Sequence, residues 1–121
     1  MTTTSKESFQ KLYTFNDRCE QSKNIRAKYK DKIPVILHGL NQVSLNPKIN
    51  KIKYLVHSNE KLVQFLHCLK KNLSLKPCDS LFLFINGKIP LMTLEMWELY
   101  EKECDNDGFL YIEYSVMETF G

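Results

Sequence analysis

The sequence predicts an α+β fold: two helices at the amino-terminal end, followed by a small mixed sheet of four strands crossed by one helix. Three observations carry this. Apolar residues recur at helical spacing through residues 9–29 and again through 62–69. Four short runs rich in β-branched and aromatic residues read as strands. Turn signals separate the later elements: Asn86-Gly87 and Asn106-Asp107-Gly108.

Taken in order, Phe9, Leu12 and Tyr13 lie at i, i+3, i+4 after Ser5, a capping residue type. Phe15, Cys19, Ser22, Ile25 and Tyr29 continue at helical intervals, interleaved with Arg18, Lys23, Arg26 and Lys28. Lys32–His38 reads as the first strand. Pro34 is acceptable there only where its missing N–H is not needed. An Asn-rich loop from Gly39 to Asn50 leads to a second strand, Lys51–His57, with Tyr54 and Val56 on one face and Lys53 and Leu55 on the other. Ser58 or Asn59 is expected to cap the next helix, whose stripe is Leu62, Phe65, Leu66 and Leu69. Leu81–Ile85 is the third strand, Thr93 is expected to cap a short helix over Leu94–Lys102, and Phe109–Tyr114 is the last strand. A sheet of this order, crossed by one helix, is the β-grasp arrangement. The expected organisation is a single domain: a helical extension over 1–30, a core over 31–115, and a flexible tail over 116–121.

A hydrophobic content of 43%, with seven Phe and six Tyr in 121 residues, suits a chain that buries a core without staples. The opening Met1–Glu7 is polar, with no apolar segment of the kind that signals secretion. The longest apolar run, Leu81–Ile85, falls far short of the roughly 20 residues a membrane helix needs. Any membrane association therefore calls for an attached anchor. Cys19, Cys68, Cys78 and Cys104 fit no zinc spacing and are expected to be reduced, mostly buried thiols. Neither a metal nor a cofactor is expected. Charge is uneven: residues 1–60 carry 11 Lys and Arg against 5 Asp and Glu, residues 61–121 carry 6 against 9. The basic half favours an anionic partner.

Enzymes and RNA-binding modules are the rival classes. No G-x-S-x-G, P-loop or H-E-x-x-H motif occurs, His38, His57 and His67 are scattered, and Cys78 beside Asp79 is a lone thiol in a loop. The sheet aromatics do not follow the RNA-recognition pattern. No enzymatic activity and no nucleic-acid partner are expected.

Five ordered blocks carry a more specific signal. They are Ile25-Arg26-Ala27-Lys28-Tyr29-Lys30-Asp31-Lys32-Ile33-Pro34-Val35-Ile36, Lys53-Tyr54-Leu55-Val56, Leu81-Phe82-Leu83-Phe84-Ile85-Asn86, Asp107–Ser115, and the closing Thr119-Phe120-Gly121. Over about residues 9–121 the chain resembles the autophagy ubiquitin-like modifiers, the GABARAP and microtubule-associated light-chain-three family. The resemblance implies a ubiquitin-like β-grasp and a two-part function. Gly121 would be activated and passed as a thioester between ubiquitin-like activating and conjugating enzymes. It would then be joined to the amine of phosphatidylethanolamine, with Thr119 and Phe120 recognised as the lead-in. A cysteine protease would process or deconjugate the tail.

The membrane-bound domain would recruit cargo receptors through an aromatic-x-x-aliphatic motif, added as a strand to the edge of Lys51–His57. By resemblance, Ile25, Pro34, Lys53, Leu55 and Phe109 line an aromatic pocket, and Tyr54, Val56, Phe65 and Cys68 an aliphatic one. Lys32, Lys51 and Lys53 would attract acidic residues flanking the motif. Phe82 and Phe84 are expected to pack in the core or beneath the sheet. The implied location is cytoplasmic, and the autophagosome membrane when lipidated. Two alternatives keep the fold: conjugation to a protein lysine, as in autophagy twelve-type modifiers, or a peptide-binding module that is never conjugated. The chain departs from the family pattern at Gln21, where an acidic residue is common, and at Lys30, His57, Glu60, Asn72 and Leu91. These positions bear on motif preference and on the shape of the second pocket.

Overall fold

The computed structural model describes residues 5–39 and 53–117. The elements run α1 (Ser5–Leu12), α2 (Phe15–Lys28), β1 (Lys32–Gly39), β2 (Lys53–His57), α3 (Leu62–Asn72), β3 (Ser80–Phe84), α4 (Met96–Glu103) and β4 (Leu110–Met117). The sheet order is β2-β1-β4-β3. β1 and β4 run parallel at its centre, and β2 and β3 pair antiparallel outside them. Pro34 lies one residue before the parallel pairing with β4 opens at Val35 and Leu110.

Strand alternation sorts the side chains onto two faces. Ile33, Val35 and Leu37 of β1, with Leu110, Ile112 and Tyr114 of β4, face α3. There they meet Leu62, Phe65 and Leu69 of the stripe read from the sequence, whose fourth member, Leu66, is only partly buried. The alternate residues Ile36, Phe109 and Tyr111 face the amino-terminal helices and cluster with Phe9 and Ile25. Both faces of the central strands are thus covered, which is why β1 is buried along nearly its whole length.

Local chemistry explains the connections. Asn86 (φ 52°) and Gly87 (φ 76°) both take the left-handed region, as a two-residue hairpin turn requires, and Ile85 and Lys88 exchange backbone bonds across it. The residue before α3 is Lys61, not Ser58 or Asn59: the Gln64 side chain accepts from the Lys61 N–H at 2.7 Å. The same device starts α4 at Glu95 rather than at Thr93, with Glu98 accepting from the Glu95 N–H at 3.3 Å. Ser58 and Glu60 instead bridge outwards, their carbonyls accepting from Trp97 and Met96 of α4.

Several expectations are corrected. Among Phe9, Leu12 and Tyr13 only Phe9 is buried, packed with Ile36, Phe109 and Tyr111. In α2 the buried residues are Arg18 and Ser22, while Phe15 is exposed. Cys68, Cys78 and Cys104 are exposed and Cys19 half-buried, so the thiols are not core residues. Phe82 stands on the face that α1 and α2 leave uncovered at β3, and is 39% exposed rather than in the core. β4 runs over Leu110–Met117 where Phe109–Tyr114 is expected, so Ser115, Val116 and Met117 extend the strand.

Candidate functional site

β2 is an outer strand, and among the described residues its far edge has no strand partner. Beside it lies a concavity of about 470 Å³ lined by Ile25, Lys32, Pro34, Val35, Lys53, Tyr54, Leu55 and Phe109. Three elements build it. α2 contributes Ile25 from its last turns. β1 and β2 contribute Pro34 and Leu55, direct neighbours in the antiparallel register. Phe109, at the threshold of β4, forms the floor and is 1% exposed.

The walls are apolar and the rim is basic. The Lys53 ammonium donates to Gln21 Oε1 at 2.8 Å and sits over the rings of Phe9 and Tyr13, 5.3 and 5.5 Å from their centroids. Lys32 sits 5.6 Å from the centroid of Tyr29. These contacts hold the ammonium groups through ring quadrupoles and a neutral amide. Leu55, 40% exposed, is the apolar residue a ligand would meet first.

Of the four residues assigned to a second pocket, Tyr54 and Val56 come from β2, and Phe65 and Cys68 from α3. The Tyr54 ring packs edge-on against Phe65, with centroids 5.6 Å apart. Val56 and Phe65 are buried in the core and Cys68 is exposed. The Tyr54 hydroxyl is held above its ordinary acidity range first by burial and then by the neighbouring Cys68. Lys51, Thr119, Phe120 and Gly121 lie outside the described residues.

Beneath the floor lies a buried polar group that joins Asp107, which opens one of the five sequence blocks, to Arg18, which none of them contains. Arg18 Nε donates to Asp107 Oδ2 at 3.0 Å, with Asp107 1% and Arg18 9% exposed. The same Arg18 donates through Nη1 to the carbonyls of Gln10 (2.9 Å) and Tyr13 (2.7 Å). Asp107 Oδ1 accepts from the Phe109 N–H at 2.9 Å, Oδ2 accepts from the Tyr111 hydroxyl, and the Asp107 carbonyl accepts from Ser22. Gly108, at φ +89°, is pressed against the Ser22 side chain where a Cβ would collide. Burial, and then the bond to Asp107, push the Tyr111 hydroxyl well up. In the sequence Arg18 looks like one of several helix cations and Asp107 like a turn residue. The only available hint was a polar position, Ser22, inside an otherwise apolar spacing.

A parallel pair flanked by antiparallel strands, with one helix across one face, is the ubiquitin-like β-grasp, and two further helices cover the other face at the central strands. The family described as "Autophagy protein Atg8 ubiquitin like" matches residues 17–121. The chain is 38% identical to autophagy-related protein 8h of Arabidopsis thaliana over 95% of this chain and 96% of that one. It is 36% identical to autophagy-related protein 8 of Mycosarcoma maydis over 96% and 98%. Among solved structures, Trypanosoma brucei ATG8 superposes with a TM-score of 0.82 at 30% identity, covering 93% of this chain and 97% of that one. Plasmodium falciparum Atg8, solved in complex with a Plasmodium falciparum Atg3 peptide, gives 0.80 at 31%, covering 95% and 96%. The chain belongs to the Atg8 family of ubiquitin-like autophagy proteins.

Proposed function

We propose that this protein is conjugated through Gly121 to phosphatidylethanolamine and, once anchored, recruits partners carrying an aromatic-x-x-aliphatic motif to the autophagosome membrane. Recruitment is supported chiefly by one observation: an apolar concavity with a basic rim lies directly beside the open edge of β2. A bound segment hydrogen-bonds to that edge as an added strand and places its aromatic side chain against Leu55, Pro34 and Phe109. Its aliphatic residue, which follows the intervening pair directly, reaches Tyr54 and Cys68, above the buried Val56 and Phe65. Each large apolar side chain contributes about 1.5–3 kcal/mol when buried. Association costs consume part of that, which leaves micromolar binding. Lys32, Lys51 and Lys53 meet acidic residues flanking the motif.

Conjugation is supported by family membership and by the closing Thr119-Phe120-Gly121. The lipid amine attacks the Gly121 thioester carbonyl, forming an amide and releasing the thiol of the conjugating enzyme. Glycine has no Cβ to obstruct that attack. Two acyl chains then supply a durable anchor at about 0.8 kcal/mol per buried CH₂. None of the helices in the described residues is long and apolar enough to cross a membrane. The partners are the activating and conjugating enzymes, a cysteine protease acting at the tail, and motif-bearing receptors. The chain itself acts as substrate and adaptor rather than as catalyst. Mass spectrometry of the carboxy-terminal peptide from starved cells tests the lipid step. A phosphatidylethanolamine adduct on Gly121, absent in Gly121→Ala, is expected. Free carboxylate alone, or an isopeptide to a protein lysine, would sink it.

A further inference from the structure

We propose that Arg18 is a positioning residue of the groove, acting through Asp107 to fix Phe109, the floor against which the ligand's aromatic side chain rests. The inference builds on the reading of that groove as a peptide site. It starts from a buried charge pair that neither conjugation nor motif capture uses directly.

Asp107 is a side chain with no exposure of its own, and its two oxygens are divided between separate tasks. Oδ1 takes the Phe109 N–H at 2.9 Å, which sets the backbone where the floor residue leaves the turn. Oδ2 takes Arg18 and the Tyr111 hydroxyl, so the carboxylate cannot rotate without breaking one bond or the other. Tyr111 follows Phe109 on the same face of β4, and both rings pack on Phe9, 6.5 and 5.3 Å between centroids. Arg18 therefore reaches the floor by two routes. One runs through Asp107 to the Phe109 backbone. The other runs through the Gln10 and Tyr13 carbonyls, which hold the end of α1 and so the Phe9 ring against Phe109.

The guanidinium is suited to this because its donors diverge from a rigid plane, whereas an ammonium is a single point of charge. Lysine at position 18 would keep the charge beside Asp107 but lose the simultaneous hold on two carbonyls and a carboxylate. A charged hydrogen bond lost in a buried setting leaves its partners to seek new ones, and the floor shifts with them.

The test uses the full chain as wild type, Arg18→Lys and Tyr111→Phe, titrated with a synthetic Trp-x-x-Leu peptide. Titration is done at a temperature where thermal melts show each form folded. Arg18→Lys should weaken binding roughly five- to tenfold. Tyr111→Phe, which keeps the ring and removes one donor to Asp107, should weaken it less. Hydrogen exchange supplies a readout that does not depend on peptide: the Phe109 amide should lose protection in Arg18→Lys while amides of α3 keep theirs. A variant that melts earlier but binds as wild type and keeps Phe109 protected would show Arg18 to be structural only, and would overturn the proposal. Should Arg18→Lys not fold, Tyr111→Phe decides by the same two readouts. Should wild type itself not bind the peptide, the groove reading fails, and Phe109 protection alone decides the role of Arg18.

Discussion

Leu55 and Phe109 line one concavity yet differ in what a substitution there reports. Leu55 is 40% exposed, so an aspartate at this position costs the core little and places a carboxylate where the proposed groove would take an aromatic side chain. Leu55→Asp is expected to abolish binding of a Trp-x-x-Leu peptide in a calorimetric titration, with the melting temperature nearly unchanged. Phe109, at 1% exposure, allows no such test, because an aspartate there would be a buried, unpaired charge and unfold the domain. Gln21 offers a finer probe. It accepts from Lys53 as a neutral amide, so the ammonium charge is not cancelled. Gln21→Glu is expected to reduce affinity for a peptide with acidic residues beside the aromatic by about threefold, the scale of an exposed ion pair. Affinity for a neutral-flanked peptide should hold, and the difference should shrink in high salt.

At the scale of elements, α2 is held by polar bonds where an apolar stripe was expected. Its seat is the pair of Arg18 and Ser22 against the 105–109 turn, and that seat works only because Gly108 lets the backbone approach Ser22. Gly108→Ala adds a Cβ into Ser22 at a backbone angle that favours glycine. It should lower stability by more than about 1 kcal/mol in urea denaturation. The expected consequence is a weaker junction between α2 and the sheet, visible as faster hydrogen exchange in α2 before α3 responds. β2 shows the opposite economy. One face carries Tyr54 and Val56 towards α3, the other carries Lys53 and Leu55 to the concavity, and among the described residues the outer edge pairs with no further strand.

For the whole molecule, the core between α3 and the sheet is the main source of stability. Leu69 is 1% exposed within it, and Leu69→Ala should cost about 2–5 kcal/mol. The buried tyrosines add a pH dependence. Tyr54, Tyr100, Tyr111 and Tyr114 all hold their protons more tightly when folded, chiefly through burial. A raised folded-state value contributes stability that is complete below the unfolded tyrosine value and is lost as pH rises above it. The protein should therefore keep constant tyrosine-linked stability up to about pH 10 and lose it beyond. Tyr111→Phe should flatten the alkaline limb of a melting-temperature profile more than Tyr100→Phe does. Equal slopes would mean that Tyr111 does not carry the largest share.

The chain's own pattern determined the element order, the α3 stripe, the Asn86-Gly87 hairpin and the sorting of Tyr54 and Val56 from Lys53 and Leu55. These follow from periodicity and backbone chemistry, which act between residues close in sequence. Helix starts were misplaced because Gln64 and Glu98 accept from residues three positions before them, while Ser58 gives its carbonyl to Trp97 of α4. Exposure of Phe82 depended on how far α1 and α2 reach across the sheet, and that of Cys68, Cys78 and Cys104 on their places at the surface of α3, in the turn before β3 and at the end of α4. The Arg18–Asp107 pair depended on tertiary structure most of all: it joins residues 89 positions apart. A charge in a sequence carries no mark of burial, and only the packed chain decides which cation and which carboxylate are brought out of water together.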